Sequence, residues 1–509
     1  MKKLFVLPAL LLMGGVLQAQ NYQDVLRYSR YSVEGTARSA AMGGAFGALG
    51  GDLSTLSTNP AGIGVFRKSE INFTSLLDVS HIKSGGTSGS AIMYYIGNLG
   101  IVYSPYTPDS DWKGVNFGFN YTNLSPYKHS LKQFVGNESS DYSLTSIWAY
   151  QAGDSESEDL DPYTTGPAYD AFLINRDSSG FYNPIFWEGP VERINQQKNI
   201  REEGYMGECA MTIGTNYKDE LYLGVTIGLQ RTFHELKSSY SEIGEANAPS
   251  GFDWFDYYEY QRIEGNGVNL KFGAIYRPIP QLRLGASIHT PTWYNMTFEY
   301  ESGIDAHFNT TDVNLGRDRT SYSTLSPLEP YDFKMRTPWR AILSIAGVLG
   351  RKAIISMDYE YVDYPSARFT DNSFGDSYRY ENDAIKATYT GGHNVRFGAE
   401  YRVNSAFSLR GGYSLQHSPY KEKGFSFTYD IPKGDKLQTV SGGFGLNFGN
   451  YYVDAAYTYR FSKDKTVFYS NDGWFLNEFN EVTNELIQAK DIANKYNEHQ
   501  ARLTFGLRF

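Results

Sequence analysis

Apolar and polar positions alternate with a period of two along much of the chain. In "QARLTFGLRF" at the C-terminus, Leu503, Phe505, Leu507 and Phe509 fall on one face, and Arg502, Thr504, Gly506 and Arg508 on the other. In 394–403, Val395, Phe397, Ala399, Tyr401 and Val403 oppose Asn394, Arg396, Gly398, Glu400 and Arg402. The same holds in 451–461 and in 268–277. This spacing puts successive side chains on opposite faces of a β-strand. Alternation alone does not separate a soluble sandwich, with its charged face in water, from a barrel whose apolar face meets lipid.

The connections separate them. About fourteen strands are predicted, roughly 69–80, 95–104, 113–125, 203–217, 220–240, 256–277, 281–300, 331–349, 352–368, 392–403, 405–417, 437–449, 451–468 and 497–509. From the second strand on, every other connection is short: "PYTPDSDW", "KD", "PIP", "GR", "N" and "N". The others are long: 81–94, 126–202, 241–255, 301–330, 369–391, 418–436 and 469–496. Short turns on one rim and long loops on the other are the pattern of an outer-membrane barrel. The long loops are polar and tyrosine-bearing, and acidic at "DSESEDLD". Segment 126–202 is long enough to hold short helices over the mouth. "NEVTNELIQAKDIANKY", roughly 480–496, has Val482, Leu486, Ile487 and Ile492 near helical spacing and is a candidate helix.

Composition agrees. The 509 residues include 42 Tyr, 31 Phe, 51 Gly and one Cys. Mean hydropathy is -0.44, and after the first residues no run reaches the roughly 20 apolar residues that a membrane helix needs. Lys2 and Lys3, an apolar run from Leu4 to Leu17 and small Ala19 in "LQAQ" read as a secretory signal peptide. The net charge of -10 argues against nucleic-acid binding. Cys209 has no intramolecular disulfide partner and reads as a small buried or wall-facing residue.

The stretch before the first strand is different. "GTARSAAMGGAFGALGG" (35–51) is rich in small residues, and "GDLSTLSTNPAGIG" follows from Gly51. Asp52 is positioned to cap a helical turn through "LSTLS". Asn59–Pro60 would end that turn, and Gly62 and Gly64 would permit tight turns after it. A phosphate loop would need GK[ST] and a strand–helix unit, which are missing. A linker would not need capping signals. A plug inserted in a narrow lumen needs small residues.

"ARSAAMGGAFGALGGDLSTLSTNPAGIGVF" resembles the N-terminal hatch of the FadL/TodX family of outer-membrane channels for long-chain fatty acids and other hydrophobic compounds. Asn59-Pro60-Ala61 matches that family's hallmark tripeptide. The resemblance is specific over about 35–75. Beyond that it is architectural, carried by "GHNVRFGAEYRV" and the C-terminal Phe509. It implies an all-β fold, a transmembrane antiparallel barrel of about fourteen strands with an N-terminal plug, in the bacterial outer membrane. The expected organisation is a signal peptide at 1–19, a hatch at 20–68 and the barrel at 69–509. The resemblance also implies uptake of a hydrophobic ligand: landing among the loops, a shift of the hatch, and lateral exit at a kinked third strand. Gly114, Gly118 and Pro126 are the candidate marks of that kink.

Asp52, Asn59, Pro60, Ala61 and Gly62 are accordingly the expected gating residues. Phe505, Leu507 and Phe509 are the expected barrel-assembly signal. Expected partners are outer-membrane lipid, a hydrophobic small molecule and the barrel-assembly machinery. No cofactor or metal is expected. The eight histidines lie in no catalytic motif such as G-x-S-x-G or HExxH, so no enzyme is expected. The alternative reading is a plugged barrel serving as a partner in surface export or in capture of a nutrient such as haem.

Overall fold

A computed structural model describes residues 22–31, 35–186, 191–246, 248–312, 316–350, 352–370, 378–421, 436–467 and 491–509. The proposed signal peptide lies outside these residues.

Fourteen antiparallel spans close into a barrel. They are β1 (Glu70–Ser84), β2 (Thr87–Tyr103), β3 (Trp112–Ser139), β4 (Arg193–Tyr217), β5 (Leu221–Gly244) and β6 (Phe252–Ile279). β7 is interrupted (Leu282–His289 and Trp293–Phe308), as are β8 (Ser321–Leu325, Glu329–Arg336 and Arg340–Leu349) and β9 (Ala353–Val362 and Arg368–Thr370). β10 (Gly392–Arg402), β11 (Phe407–Gln416), β12 (Leu437–Phe448), β13 (Tyr451–Val467) and β14 (Asp491–Arg508) complete the wall. Each span pairs with the next, and β14 returns to β1 from Glu70↔Arg508 to Ser84↔Asn494.

The alternation resolves as a barrel requires. Leu503 and Phe505 are 38% and 49% exposed on the outer face, whereas Arg502 and Thr504 are buried inside. Val268, Phe272 and Tyr276 likewise face out, and Asn269 and Lys271 face in. Inward charges are matched with one another. Arg410 bonds Glu400 at 2.7 Å and Asp454 at 2.6 Å, Arg340 bonds Glu360 at 3.1 Å, and Lys271 pairs with Glu208. Pairing is what makes buried charge tolerable in such a lumen.

The strands run further outward than the hydrophobic pattern predicts. Segment 81–94, read as a long loop, is the top of a β1–β2 hairpin turned by Gly85 and Gly86, both at positive φ. Around the turn the outward face is polar, with His81, Lys83, Ser88 and Ser90 exposed, so the period-two signal fades while the ladder continues. The wall is therefore tall on one side. β3 to β6 have 28, 25, 24 and 28 residues, while β10, β11 and β12 have 11, 10 and 12. Between β3 and β4, α4 (Leu144–Ala152) and α5 (Thr165–Asp170) pack an apolar cap with Phe252, Phe255 and Phe308 of the tall wall. The candidate helix at 480–496 is not one throughout. Residues 491–496 belong to β14, and the remainder lies outside the described residues.

Candidate functional site: the plug, the seam and the upper apolar cluster

Residues 35–66 fill the lumen with short turns rather than one long helix. α2 (Ala37–Ala41) is capped by Thr36, whose hydroxyl accepts from Ser39 N at 3.1 Å. The same hydroxyl donates to the Asp52 carboxylate at 2.8–2.9 Å. Asp52 also accepts from Ser54 N at 3.0 Å and from Ser54 Oγ at 2.6 Å, an Asx-type turn ahead of α3 (Thr55–Thr58). Asp52 thus ties two segments of the plug together as well as starting a turn.

Asn59 ends α3 in extended geometry, as the following proline requires. Its Nδ2 donates to the carbonyl of Gly47 at 2.6 Å and of Ala274 in β6 at 3.3 Å, and its Oδ1 accepts from Ala61 N at 3.2 Å. One side chain therefore joins two plug segments and the wall. Pro60 opens a 3-10 turn (Pro60–Val65), in which Ala61 packs against Tyr222 and Ile275. Gly62 is needed for space rather than for turning: a Cβ there would stand 2.7 Å from Thr55 Cβ.

The wall is shaped to the plug. A Cβ on Gly118 would come within 2.7 Å of Leu56 Cδ2, one on Gly100 within 2.9 Å of Leu53 Cδ2, and one on Gly443 within 2.8 Å of Ala41 Cβ. Gly273 faces Asn59, and Gly398 faces Met42. Small polar wall residues then satisfy plug carbonyls. Thr226 donates to Leu56 O at 2.9 Å, Ser287 to Thr58 O at 3.0 Å, Ser441 to Ala41 O at 3.1 Å and Asn116 to Ile63 O at 2.7 Å. The plug also carries an ion pair, Arg38 to Glu400 at 2.9 Å. Each neutral bond contributes about 0.5–1.5 kcal/mol net, so many modest contacts hold the stopper.

Beside the plug the wall is incompletely zipped. Among the described residues, β2 and β3 pair only from Asn98↔Thr122 to Tyr103↔Phe117. Above that, β2 keeps β1, and β3 pairs with β4. A register shift at Asn123/Ser125 marks the departure, with Leu124 buried against Met206 and Tyr31. Pro126, which has no N–H to donate, lies within the stretch of β3 that has left β2. Of the expected glycine marks, Gly114 lies in a separate register shift, at Trp112/Val115, away from this departure. Gly118 makes room for the plug, and Gly114 packs at the rim against Pro105.

Above the plug lies a packed apolar cluster. Ile263, Tyr294, Met296, Phe298, Phe333 and Met335 of the wall meet Val25 of α1 (Tyr22–Arg27) and Tyr28 just after it, and Ile385 of α6 (Arg379–Thr388) and Tyr389 just after it. Neither helix carried a readable signal, because each is short and its apolar face is completed by other segments. Arg30 stands beside this cluster, near Tyr364 and Tyr420. Its Nε donates to Gln416 at 3.1 Å, its Nη2 is buried without a hydrogen bond, and it forms no salt bridge among the described residues. Burial lowers its pKa, and the neighbouring Tyr364 and Tyr420 partly counter that.

A family profile described as outer membrane protein transport protein (OMPP1/FadL/TodX) matches residues 209–490. The chain belongs to this family. The OMPP1/FadL/TodX match runs from within β4 to the residue before β14, so the plug geometry above is independent of it. In the solved structure of a Pseudomonas aeruginosa FadL homologue, 14% identical over 94% of this chain and 100% of that one, the same barrel fold is found with a TM-score of 0.57. The chain is also similar to the P. putida toluene transporter TodX (12% identity, 94% and 99% covered, TM-score 0.49) and to the Ralstonia pickettii toluene transporter TbuX (15%, 94% and 99%, 0.49). No curated protein matches the sequence. As a FadL/TodX-type barrel the protein resides in the outer membrane. Among the described residues no group of three or more His, Cys, Asp or Glu could hold a metal ion.

Proposed function

We propose that the protein takes up apolar compounds carrying a carboxylate, such as long-chain fatty acids, and releases them sideways through the wall. The observation that carries this reading is the missing β2–β3 ladder beside Leu124, Met206 and Tyr31. A ligand leaving there would pass from the apolar interior above the plug towards lipid and avoid the periplasmic water. Asp52, Asn59, Pro60, Ala61 and Gly62 are the proposed gating residues. Asn59 bridges Gly47 and the wall, so its release would loosen two plug segments together.

The carboxylate is argued from Arg30. The nearby lumenal cations Arg340 and Lys271 already have ion-pair partners in Glu360 and Glu208, whereas among the described residues Arg30 makes a side-chain hydrogen bond to Gln416 and no salt bridge, with Asp464 acting on it only at longer range. A charged hydrogen bond is worth about 1.5–3 kcal/mol, so Arg30→Gln should weaken oleate binding roughly 10- to 100-fold and leave toluene binding unchanged. Equal oleate affinity in the variant would refute the carboxylate. Deleting Leu124 removes the extra residue of the register shift. Oleate uptake into cells should then fall while binding persists; undiminished uptake would refute the sideways route.

A further inference from the structure

The outer face of the β13–β14–β1 wall carries a row of lysines directly opposite one another. Lys463 is in register with Lys495, and Lys495 with Lys83. All three are exposed. Like charges placed directly opposite across strands are destabilising unless something neutralises them.

Elsewhere the outer face of the tall wall neutralises its cations internally. Arg201 pairs with Glu203 at 2.5 Å, Lys237 with Glu235 at 2.8 Å, and Arg262 with Glu264. The three lysines have no such carboxylate among the described residues. The acids nearest in sequence on β13 and β14 are engaged elsewhere: Asp464 accepts from Asn494, and Glu498 pairs with Arg460.

Height identifies the counter-charge. Below the lysines the outward rows read His81, Asn497 and Phe461, then Val79, His499 and Tyr459, then Leu77, Ala501 and Tyr457. The rings of Tyr459 and His499 lie 4.9 Å apart, and Tyr457 hydrogen-bonds His499 at 2.6 Å. This is an aromatic girdle of the kind found at a lipid–water boundary. Lys83 is twelve residues along the strand from Ile71. At ~3.3 Å per residue and ~45° tilt that is ~28 Å of height, the upper edge of an apolar band ~25 Å tall. Lys83 and Lys495 also line one open hollow with the Gly85–Gly86 turn.

We propose that Lys83, Lys463 and Lys495 bind the phosphate groups of a phosphorylated glycolipid headgroup in the outer leaflet. The girdle would hold its acyl region and the hollow one phosphate. The site lies on the outer wall and is separate from the transported ligand's path.

The full chain, extracted in mild detergent, is titrated with lipid A, and the temperature at which its heat-modifiable gel band converts is recorded. Lipid A should raise that temperature. The K83Q/K463Q/K495Q variant should need ~100-fold more lipid. The corresponding triple arginine variant and K237Q should behave as the parent. The lipid-free gel shift shows that each variant is folded, and K495Q alone gives a smaller loss if the triple variant does not fold. Equal response of the glutamine variant would overturn the proposal. So would equal protection by dephosphorylated lipid A, or by inorganic phosphate alone, which would mean a small-anion site.

Discussion

Asn98 on β2 donates its side-chain amide to Asn120 Oδ1 on β3 at 2.8 Å, at the last rung before the two strands part. The same amide reaches Thr122 Oγ1 at 2.9 Å and the carbonyl of Tyr121 at 3.2 Å. It is fully buried, and it stitches the wall where the ladder stops.

Asn98→Ala should therefore lengthen the opening. The loss of these bonds should cost about 1–3 kcal/mol, read as a lower conversion temperature on heated gels. Lateral release should become faster in a single-turnover transfer assay to vesicles, with binding unchanged.

The glycines under the plug should be intolerant of side chains. Gly118→Val drives methyl groups into Leu56 and Ile63, and overpacking of this kind costs about 1–3 kcal/mol. The plug should loosen while the barrel persists, seen as raised conductance in a planar bilayer with a normal heat shift. Gly347→Val, where nothing lies within 4 Å of the added Cβ, should leave conductance unchanged.

Arg38 and Glu400 should be unequal partners. Arg38→Gln leaves Glu400 with Arg410, whereas Glu400→Gln removes the carboxylate shared by two arginines. The second change should destabilise by about 3 kcal/mol and the first by about 1 kcal/mol. Protease cleavage within the plug should rise in the same order.

Phe509 should matter for assembly. Its N–H donates to Ser69 O at 3.0 Å at the β1–β14 junction, and its ring is 62% exposed. Removing it should lower the amount of barrel in the outer membrane several-fold. The conversion temperature of the assembled fraction should barely change. Leu507 and Phe505 continue that outward face and should show weaker versions of the same defect.

The wall was readable because lipid outside and paired charge inside impose opposite chemistry on alternate residues, as Phe505 and Thr504 illustrate. The readable signal stopped where the bilayer does. The Gly85–Gly86 turn was passed over although adjacent glycines between strands mark a hairpin. Asn59 and Asp52 were legible through turn chemistry, but their partners Gly47, Ala274 and Thr36 are set by tertiary contact. Arg30 gave no signal, since its significance rests on Gln416, 386 residues away, and on the lack of a salt bridge among the described residues.

The unequal strand lengths have a consequence at the cell surface. A strand of 28 residues rises ~65 Å at the usual tilt, and one of 10–12 residues only ~25 Å. On the β3–β6 side the protein stands ~40 Å proud of the membrane, while β10 to β12 end near it. An antibody or phage approaching from the medium would meet a one-sided screen, and escape variants should collect in β3 to β6 and the cap they carry.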